Sequence, residues 1–138
     1  MILLADTNVV IDFLKAVREN DKNSPYIAIF KSQEIVLCGA VRAELLHGAY
    51  SDKNQKELQQ FVSCYPSADL IGADWNVMGS QLYAYRKQGM TVPFTDATIA
   101  SIALKYGMGV WTNDKHFDMM KSVIPELAVY RTEELLTP

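Results

Sequence analysis

The sequence lacks several features that mark large classes of proteins. It contains only two cysteines, Cys38 and Cys64, and their positions match neither a metal-ligand spacing nor a secreted disulfide framework. No apolar run approaches the ~20 residues of a membrane span. A signal peptide is not expected either, because Asp6 and Asp12 interrupt the only candidate apolar stretch. These absences predict a reduced, cytoplasmic protein with no membrane partner, in which both thiols are buried packing groups.

Positive charge is also scarce. Sixteen acidic residues against thirteen lysines and arginines give a net charge of −3 at pH 7 and a sequence pI near 5.3. The chain therefore has no global basic surface of the kind that marks many nucleic-acid binders, although local basic patches remain compatible with its composition. Phosphate-binding Gly-Lys-Ser/Thr loops, serine nucleophile elbows and dinucleotide glycine patterns are missing as well, which disfavours the corresponding enzymes.

The remaining pattern is that of one globular domain. Apolar residues make up 49% of the 138 residues and charged residues 21%, and no linker or repeat divides the chain, so residues 1–138 are expected to form a single domain. Short β-rich runs alternate with helical patterns, as in an α/β fold with a parallel sheet. The predicted strands are residues 2–5, 35–38, 68–71, 110–112 and 127–130. The predicted helices are residues 9–17, 25–31, 40–50, 52–64, 73–88, 96–106 and 115–121.

Several helix ends are marked by their residues. Ser24 followed by Pro25 fits an N-cap with proline in the first helical position. Thr95 is a candidate N-cap for the helix that Gly107 would close, and Gly89 is a candidate end for the helix before it. That preceding helix carries an apolar stripe, which suits the core or a partner interface. The stripe comprises Trp75, Met78, Leu82 and Tyr85.

Four carboxylates occupy unusual places in this pattern. Asp6 and Asp114 follow predicted strands, whereas Glu44 and Asp96 lie in early turns of predicted helices. Because the carboxyl ends of parallel strands meet at one edge, the four acids are expected to converge. Their charges would raise one another's pKa values unless a cation intervened. Oxygen ligands of this type favour Mg²⁺ or Mn²⁺ over zinc, and such an ion suits phosphodiester hydrolysis.

Each acid also has a simpler structural interpretation. Asp6 and Asp114 are placed to cap helices, and Asp96 is placed to interact with a helix dipole. Glu44 has a candidate ion-pair partner in Arg42 or in a lysine at the rim. The neighbouring polar residues either orient the acids or cap helices, and they are Thr7, Asn8, Thr112 and Asn113. The two histidines, His47 and His116, have no evident partners and are expected to be surface or supporting groups rather than ligands.

Four segments carry a family resemblance. They are Ala5-Asp6-Thr7-Asn8-Val9-Val10-Ile11-Asp12, Val41-Arg42-Ala43-Glu44-Leu45-Leu46-His47-Gly48, Phe94-Thr95-Asp96-Ala97-Thr98-Ile99-Ala100 and Thr112-Asn113-Asp114-Lys115-His116-Phe117. In this order and spacing the chain resembles PIN-domain ribonucleases, specifically the VapC-type toxins of VapBC toxin–antitoxin pairs. The resemblance spans nearly the whole chain.

The resemblance implies a three-layer α/β/α sandwich with a central, mainly parallel sheet. It also implies an endoribonuclease that depends on Mg²⁺ or Mn²⁺ and acts on structured RNA. Such proteins usually form homodimers and bind the C-terminal segment of a VapB-type antitoxin in a groove near the early helices. The implied catalytic and metal-binding acids are Asp6, Glu44, Asp96 and Asp114. At the fourth position the chain departs from the family, because His116 precedes Phe117 and Asp118 follows it, which leaves Asp114 and Asp118 as alternatives.

Three other functions fit parts of the sequence. An aspartate-dependent phosphatase or phosphotransferase would use Asp6 as a nucleophile, but such enzymes usually have an acid where this chain has Asn8. A receiver-like signalling module would have a lysine where Arg131 follows the last predicted strand. A catalytically silent interaction domain would keep the fold alone. If RNA is the substrate, the candidate phosphate contacts are Lys15, Arg18, Arg42, Arg86, Lys87 and Lys115.

Overall fold

A computed structural model describes residues 1–136, in which helices and short strands alternate. Residues 137 and 138, which belong to the predicted domain, lie outside the described residues. The elements are β1 (Ile2–Ala5), α1 (Thr7–Arg18), α2 (Pro25–Ser32), β2 (Glu34–Val36), α3 (Gly39–His47), α4 (Asp52–Ser63), α5 (Asp74–Lys87), α6 (Phe94–Tyr106), β3 (Gly109–Trp111), α7 (His116–Val123), β4 (Val129–Tyr130) and α8 (Thr132–Leu135). The short helix α8 is not predicted by the sequence pattern.

The strands form one parallel sheet in the order β2-β1-β3-β4. Leu4 of β1 pairs with Val36 on one side and with Val110 on the other, and Trp111 of β3 pairs with Tyr130. Helices α1 to α4 form one set of contacts and α5, α6 and α7 another. Layers of helices on the two faces of the sheet give the predicted three-layer α/β/α sandwich.

The centre of the sheet is fully buried. Leu3, Leu4 and Ala5 of β1 and Val110 and Trp111 of β3 are all fully buried. Continuous apolar runs are what a parallel sheet covered on both faces requires. The two central strands therefore provide a rigid base for whatever follows their carboxyl ends.

The strand predicted at residues 68–71 is wrong. Ala68 and Leu70 are buried, which accounts for the apolar pattern, but the segment is not part of the sheet. The backbone N–H of Gly39 donates to the Asp69 carboxylate, at 2.6 Å. The Asp69 side chain thus pairs with an N–H group of the first turn of α3, which has no partner within the helix.

The predicted helix ends are mostly confirmed. The Ser24 hydroxyl accepts from the backbone N–H groups of the first turn of α2. Gly107 ends α6 in the left-handed region with φ of 66°, and Gly89 follows α5 with φ of 79°, a conformation that glycine adopts without steric cost. Thr95 is not a cap, because the extended backbone of Pro93 lets α6 begin at Phe94, two residues earlier than predicted.

The two thiols differ from the prediction. Cys38 is buried as expected, whereas Cys64 is exposed. Cys64 follows the polar-faced helix α4 as its C-cap, and that end of the helix lies at the surface.

Helices that combine the length and the apolar character needed to cross a bilayer do not occur within residues 1–136.

Candidate active site

The four predicted acids lie around the carboxyl ends of β1 and β3. The chain leaves β1 for β2 on one side of the sheet, whereas β3 and β4 lie on the other side. The ends of β1 and β3 therefore flank a topological switch point, where open α/β sheets leave a crevice for ligands. Asp6 follows β1 and its backbone N–H donates to the carbonyl of Trp111 at 2.9 Å. Thr112 follows β3 directly beside it.

Asp6 is the most deeply buried of the acids, with 6% of its surface exposed. One carboxylate oxygen accepts from the backbone N–H of Thr7 at 2.8 Å, so Asp6 caps α1. The other oxygen accepts from the Thr112 hydroxyl at 2.7 Å and from the Asn8 amide at 3.2 Å. Burial raises the pKa of Asp6, and the hydrogen bonds from Thr112 and Thr7 partly offset this rise.

Two threonines link Asp6 to its acidic neighbours, Thr7 through its backbone N–H and its hydroxyl and Thr112 through its hydroxyl. The Thr7 hydroxyl donates to Glu44 Oε1 at 2.7 Å. The Thr112 hydroxyl, besides donating to Asp6, accepts from the backbone N–H of Asp114 at 2.9 Å. Thr7, which follows Asp6 after β1, thus restrains Glu44. Thr112, which follows β3, restrains both Asp6 and the backbone of Asp114.

Arg42 does not pair with Glu44, so the ion pair suggested between them is wrong. The Arg42 guanidinium donates to the carbonyls of Leu37, Val62 and Tyr65 at distances of 2.9, 2.6 and 2.7 Å. These bonds use the Nε and both Nη atoms. Arg42 therefore links the end of β2 to the end of α4, and its suggested role as a phosphate contact stays a prediction.

Asp96, Asp114 and His116 form the tightest group of the site. One possible ligand atom from each lies within 4.8 Å of the others. His116 Nδ1 is 3.6 Å from Asp96 Oδ2 and 3.4 Å from Asp114 Oδ1. The expectation that His116 has no partner is wrong. Its spacing of two residues from Asp114 is a signal for a shared turn, but only the packing of α6 against α7 brings Asp96 to that turn.

The capping role expected for Asp114 is present in a modified form. Asp114 Oδ1 accepts from the backbone N–H of His116 at 2.9 Å, although the N-cap residue of α7 is Lys115. The bond fixes the turn between β3 and α7, and it uses only one of the two carboxylate oxygens.

The acids influence one another electrostatically. Burial, followed by the negative charges of Asp6 and Asp114, raises the pKa of Asp96 to about 6, although His116 opposes the rise. Asp114 and Glu44 similarly contribute to the raised pKa of Asp6. Electrostatic interactions thus join Asp6 to Glu44, Asp96 and Asp114, and a group of negative charges of this kind suits a divalent cation.

Asn8 and Asn113 lie next to the acids: the Asn8 amide donates to Asp6, and Asn113 directly precedes Asp114. Asn113 accepts from the Thr132 hydroxyl at 2.8 Å and donates to the Tyr26 hydroxyl at 2.9 Å. Its backbone N–H donates to Asn8 Oδ1 at 3.5 Å. The two asparagines therefore connect the ends of β1 and β3 to α2 and α8.

Asp118 is directed away from the acids. It forms an ion pair with Arg131, and Arg131 also donates to the backbone carbonyl of Asn113. Of the two alternatives for the fourth position, Asp114 is the one that lies beside Asp96.

A family model for the PIN domain matches residues 3–122. The chain belongs to the PIN domain family. Among curated relatives of this PIN domain, VapC ribonuclease Mb1587 of Mycobacterium bovis and ribonuclease VapC11 of Mycobacterium tuberculosis are each 27% identical over 95 residues. The alignment covers 67% of this chain and 71% of each relative.

Solved structures share the PIN fold at lower sequence identity. DNA-bound VapBC from Salmonella typhimurium contains a chain with a TM-score of 0.76 and 22% identity, covering 96% of this PIN domain protein and 98% of that chain. VapBC2 from Rickettsia felis, bound to a promoter DNA fragment, gives a TM-score of 0.73 and 22% identity, with 95% and 98% coverage. At these identities the likeness establishes the fold.

Proposed function

We propose that this PIN-domain protein is a metal-dependent endoribonuclease that hydrolyses RNA phosphodiester bonds and is the toxin of a type II toxin–antitoxin pair. The convergence of Asp6, Glu44, Asp96 and Asp114 at the switch point of a PIN fold carries the proposal. The ribonuclease names of the mycobacterial relatives support the activity, and the VapBC assemblies among the structural neighbours support the pairing. We also propose that residues 1–138 form one PIN-like nuclease domain.

The four acids would hold Mg²⁺ or Mn²⁺. A bound ion of this kind orients the scissile phosphate, lowers the pKa of the attacking water and stabilises charge on the leaving oxygen. Thr112 fixes the orientation of Asp6 and the backbone of Asp114, while Thr7 restrains Glu44. Asn8 and Asn113 support the two loops. Preorganised carboxylates need no rearrangement when the ion and the substrate arrive.

The phosphotransferase alternative is disfavoured by the hydrogen bonds of Asp6. Both of its carboxylate oxygens accept hydrogen bonds, from Thr7 on one side and from Thr112 and Asn8 on the other. These bonds stabilise the carboxylate charge and reduce its nucleophilicity. Asp6 is therefore better suited to binding a cation than to attacking phosphorus.

A groove between α1, α3 and α4 is the proposed antitoxin site. It has a volume of about 450 Å³, and its lining includes Ile11, Leu14, Val17, Glu44 and Phe61. Ile11 and Val17 are about half exposed, so the groove offers apolar surface that continues to the carboxylate of Glu44. An amphipathic segment of a VapB-type antitoxin would fit such a groove.

A homodimer is proposed through α5. The apolar stripe predicted on this helix lies partly in the core and partly at the surface. Met78 and Tyr85 are buried, whereas 43% of the surface of Trp75 is exposed. Val77 and Tyr83 are also more than half exposed on the same helix. Large exposed apolar side chains of this kind favour association.

We place the protein in the cytoplasm, where its proposed RNA substrate occurs.

The proposed activity is tested by incubating transfer RNA and a synthetic RNA hairpin with the protein in Mg²⁺ or Mn²⁺. Wild type is expected to cleave RNA, while Asp6→Asn and Glu44→Gln, with folding checked by circular dichroism, are expected to be inactive. The matched control is Glu126→Gln, since Glu126 is an exposed acid at the opposite edge of the sheet, beside Met1 and Gly109.

Two results would overturn the proposed activity. Equal cleavage by wild type and both active-site variants would mean that the acids have no role. Trapping of an aspartyl-phosphate on Asp6 would instead support the phosphotransferase.

A further inference from the structure

We propose that His116 is a nitrogen ligand of the bound cation and that it makes the site prefer Mn²⁺ to Mg²⁺. The inference rests on the proposed function, because it presupposes a divalent ion among the four acids. It adds as a ligand a residue for which the sequence predicted a surface or supporting role, and it gives the site a specific metal preference.

The position of the imidazole carries the inference. His116 Nδ1 lies 3.4 Å from an oxygen of Asp114 and 3.6 Å from an oxygen of Asp96. An ion that binds both carboxylates would lie within ligand range of the imidazole after small side-chain rotations, because all three ligand atoms fall within 4.8 Å. A neutral imidazole nitrogen is a common metal ligand.

The backbone holds His116 at this place independently of its side chain. The residue opens α7, and its N–H donates to the Asp114 carboxylate at 2.9 Å. The next residue, Phe117, is fully buried and anchors the turn in the core. The imidazole itself is 56% exposed, so the ring is free to rotate towards an ion without disturbing the packing.

The chemistry of the ligands sets the expected preference. Mg²⁺ binds oxygen ligands in a strict octahedral arrangement and retains several waters. Mn²⁺ is the weakest binder of the first-row transition series and shares carboxylate ligands with Mg²⁺, but it is the softer of these two ions and accepts an imidazole nitrogen more readily than Mg²⁺ does. Adding one nitrogen to a carboxylate site therefore strengthens Mn²⁺ binding more than Mg²⁺ binding.

Electron spin-echo spectroscopy of the Mn²⁺-loaded protein at pH 7.5 tests the assignment. The chain contains only two histidines, so an imidazole ¹⁴N modulation has two possible sources. Wild type is expected to show the modulation, His116→Gln to lose it, and His47→Gln to keep it. Because His47 is exposed at the end of α3, it provides a matched control.

Equilibrium binding provides a second readout without RNA. For His116→Gln we expect Mn²⁺ affinity, measured by the free-ion spin-resonance signal, to fall on the order of tenfold or more. Mg²⁺ affinity, measured by competition with Mn²⁺, should fall much less. Bound Mn²⁺ without a nitrogen modulation, or equal losses for both ions, would overturn the inference and leave the ribonuclease proposal standing.

Failure of the metal centre itself gives a different result. If Asp96→Asn binds Mn²⁺ as well as wild type, or if wild type binds none, the acids do not hold the ion. The proposed function and the role of His116 would then both be wrong.

Discussion

Individual carboxylates in this PIN domain are held in an unfavourable environment. Asp6 has 6% of its surface exposed, and Asp96 has a pKa of about 6 because of burial and the nearby negative charges. A raised pKa means that the folded state binds the proton more tightly than the unfolded state does. The ionised pocket therefore reduces stability, as is common where a site is organised for a ligand.

Removing the charge of Asp96 should stabilise the metal-free protein. The pKa of Asp96 rises from 3.8 to about 6 on folding, so its ionisation disfavours the folded state progressively above about pH 4. With a chelator present, Asp96→Asn should raise the free energy of unfolding by about 1–3 kcal/mol at pH 7.5 and by less at pH 5, where the wild-type carboxyl is largely protonated.

Urea unfolding at the two pH values measures this change in stability. Glu126→Gln serves as the control and should show little change at either pH. Destabilisation by Asp96→Asn at both pH values would contradict the electrostatic account of the pocket.

The hydroxyl of Thr112 has two partners in the buried centre. It donates to Asp6 at 2.7 Å and accepts from the backbone N–H of Asp114 at 2.9 Å. Thr112→Val keeps the shape but removes one hydrogen bond from Asp6 and the side-chain partner of the Asp114 N–H, so we expect a loss of about 2–4 kcal/mol in the free energy of unfolding. Chemical denaturation measures the loss.

Thr112→Ser is the matched control because it retains the hydroxyl and removes only a methyl group, at a cost of about 1 kcal/mol. If the valine variant is as stable as the serine variant, the hydroxyl does not link the two acids.

The sequence predicted that the four acids converge, but it did not predict that His116 pairs with two of them. Asp6 and Asp114 are recognisable because each follows an apolar strand, and that position is local in the chain. The contact of His116 with Asp96 joins residues from different helices, α7 and α6. No local pattern encodes the packing of those helices.

Secondary-structure elements around the site are joined by Arg42. Its guanidinium donates to the carbonyl of Leu37 after β2 and to those of Val62 and Tyr65 at the end of α4. Carbonyls at a helix C-terminus lack partners within the helix. Arg42 thus positions α3, which carries Glu44, relative to α4.

Arg42→Met should destabilise the fold without removing RNA-binding groups from the pocket. We expect the free energy of unfolding to fall by about 2–4 kcal/mol, since three carbonyls lose a charged donor. The KM for RNA of the folded protein should stay close to that of wild type. Urea unfolding and cleavage kinetics measure the two quantities.

Arg18→Met is the control for stability, because Arg18 is exposed on α1, and such surface changes usually stay within about 0.5 kcal/mol. A large rise in KM for Arg42→Met with unchanged stability would support the phosphate-contact interpretation.

The element order was largely predictable, and its main error has a physical cause. The alternating burial of Ala68 and Leu70 resembles a strand, but strand formation also depends on a neighbour with free ladder groups. Within residues 1–136 the sheet comprises only β2, β1, β3 and β4, and the carboxylate of Asp69 bonds to the N–H of Gly39 at the start of α3. The apolar pattern of residues 68–71 thus indicates burial, whereas the pairing of a strand with its neighbour depends on contacts between residues distant in sequence.

The whole molecule brings its acids together through one property of the sheet order. With β1 and β3 adjacent at the centre and β2 and β4 at the edges, loops from both halves of the chain meet above the same two strand ends. Glu44 and Asp96 reach this place from α3 and α6, which contact each other. The sheet order thus brings together residues that are distant in sequence, as the proposed cation site requires.

The proposed function requires these acids to cleave RNA with the help of a divalent ion, and a cleavage assay with and without the ion measures this dependence. Cleavage of a labelled RNA hairpin should be absent in chelator and should appear on titration with Mg²⁺ or Mn²⁺. Asp6→Asn should reduce the rate on the order of 100-fold or more at saturating metal. Cleavage that is equally fast in chelator, or that Asp6→Asn leaves unchanged, would contradict the account.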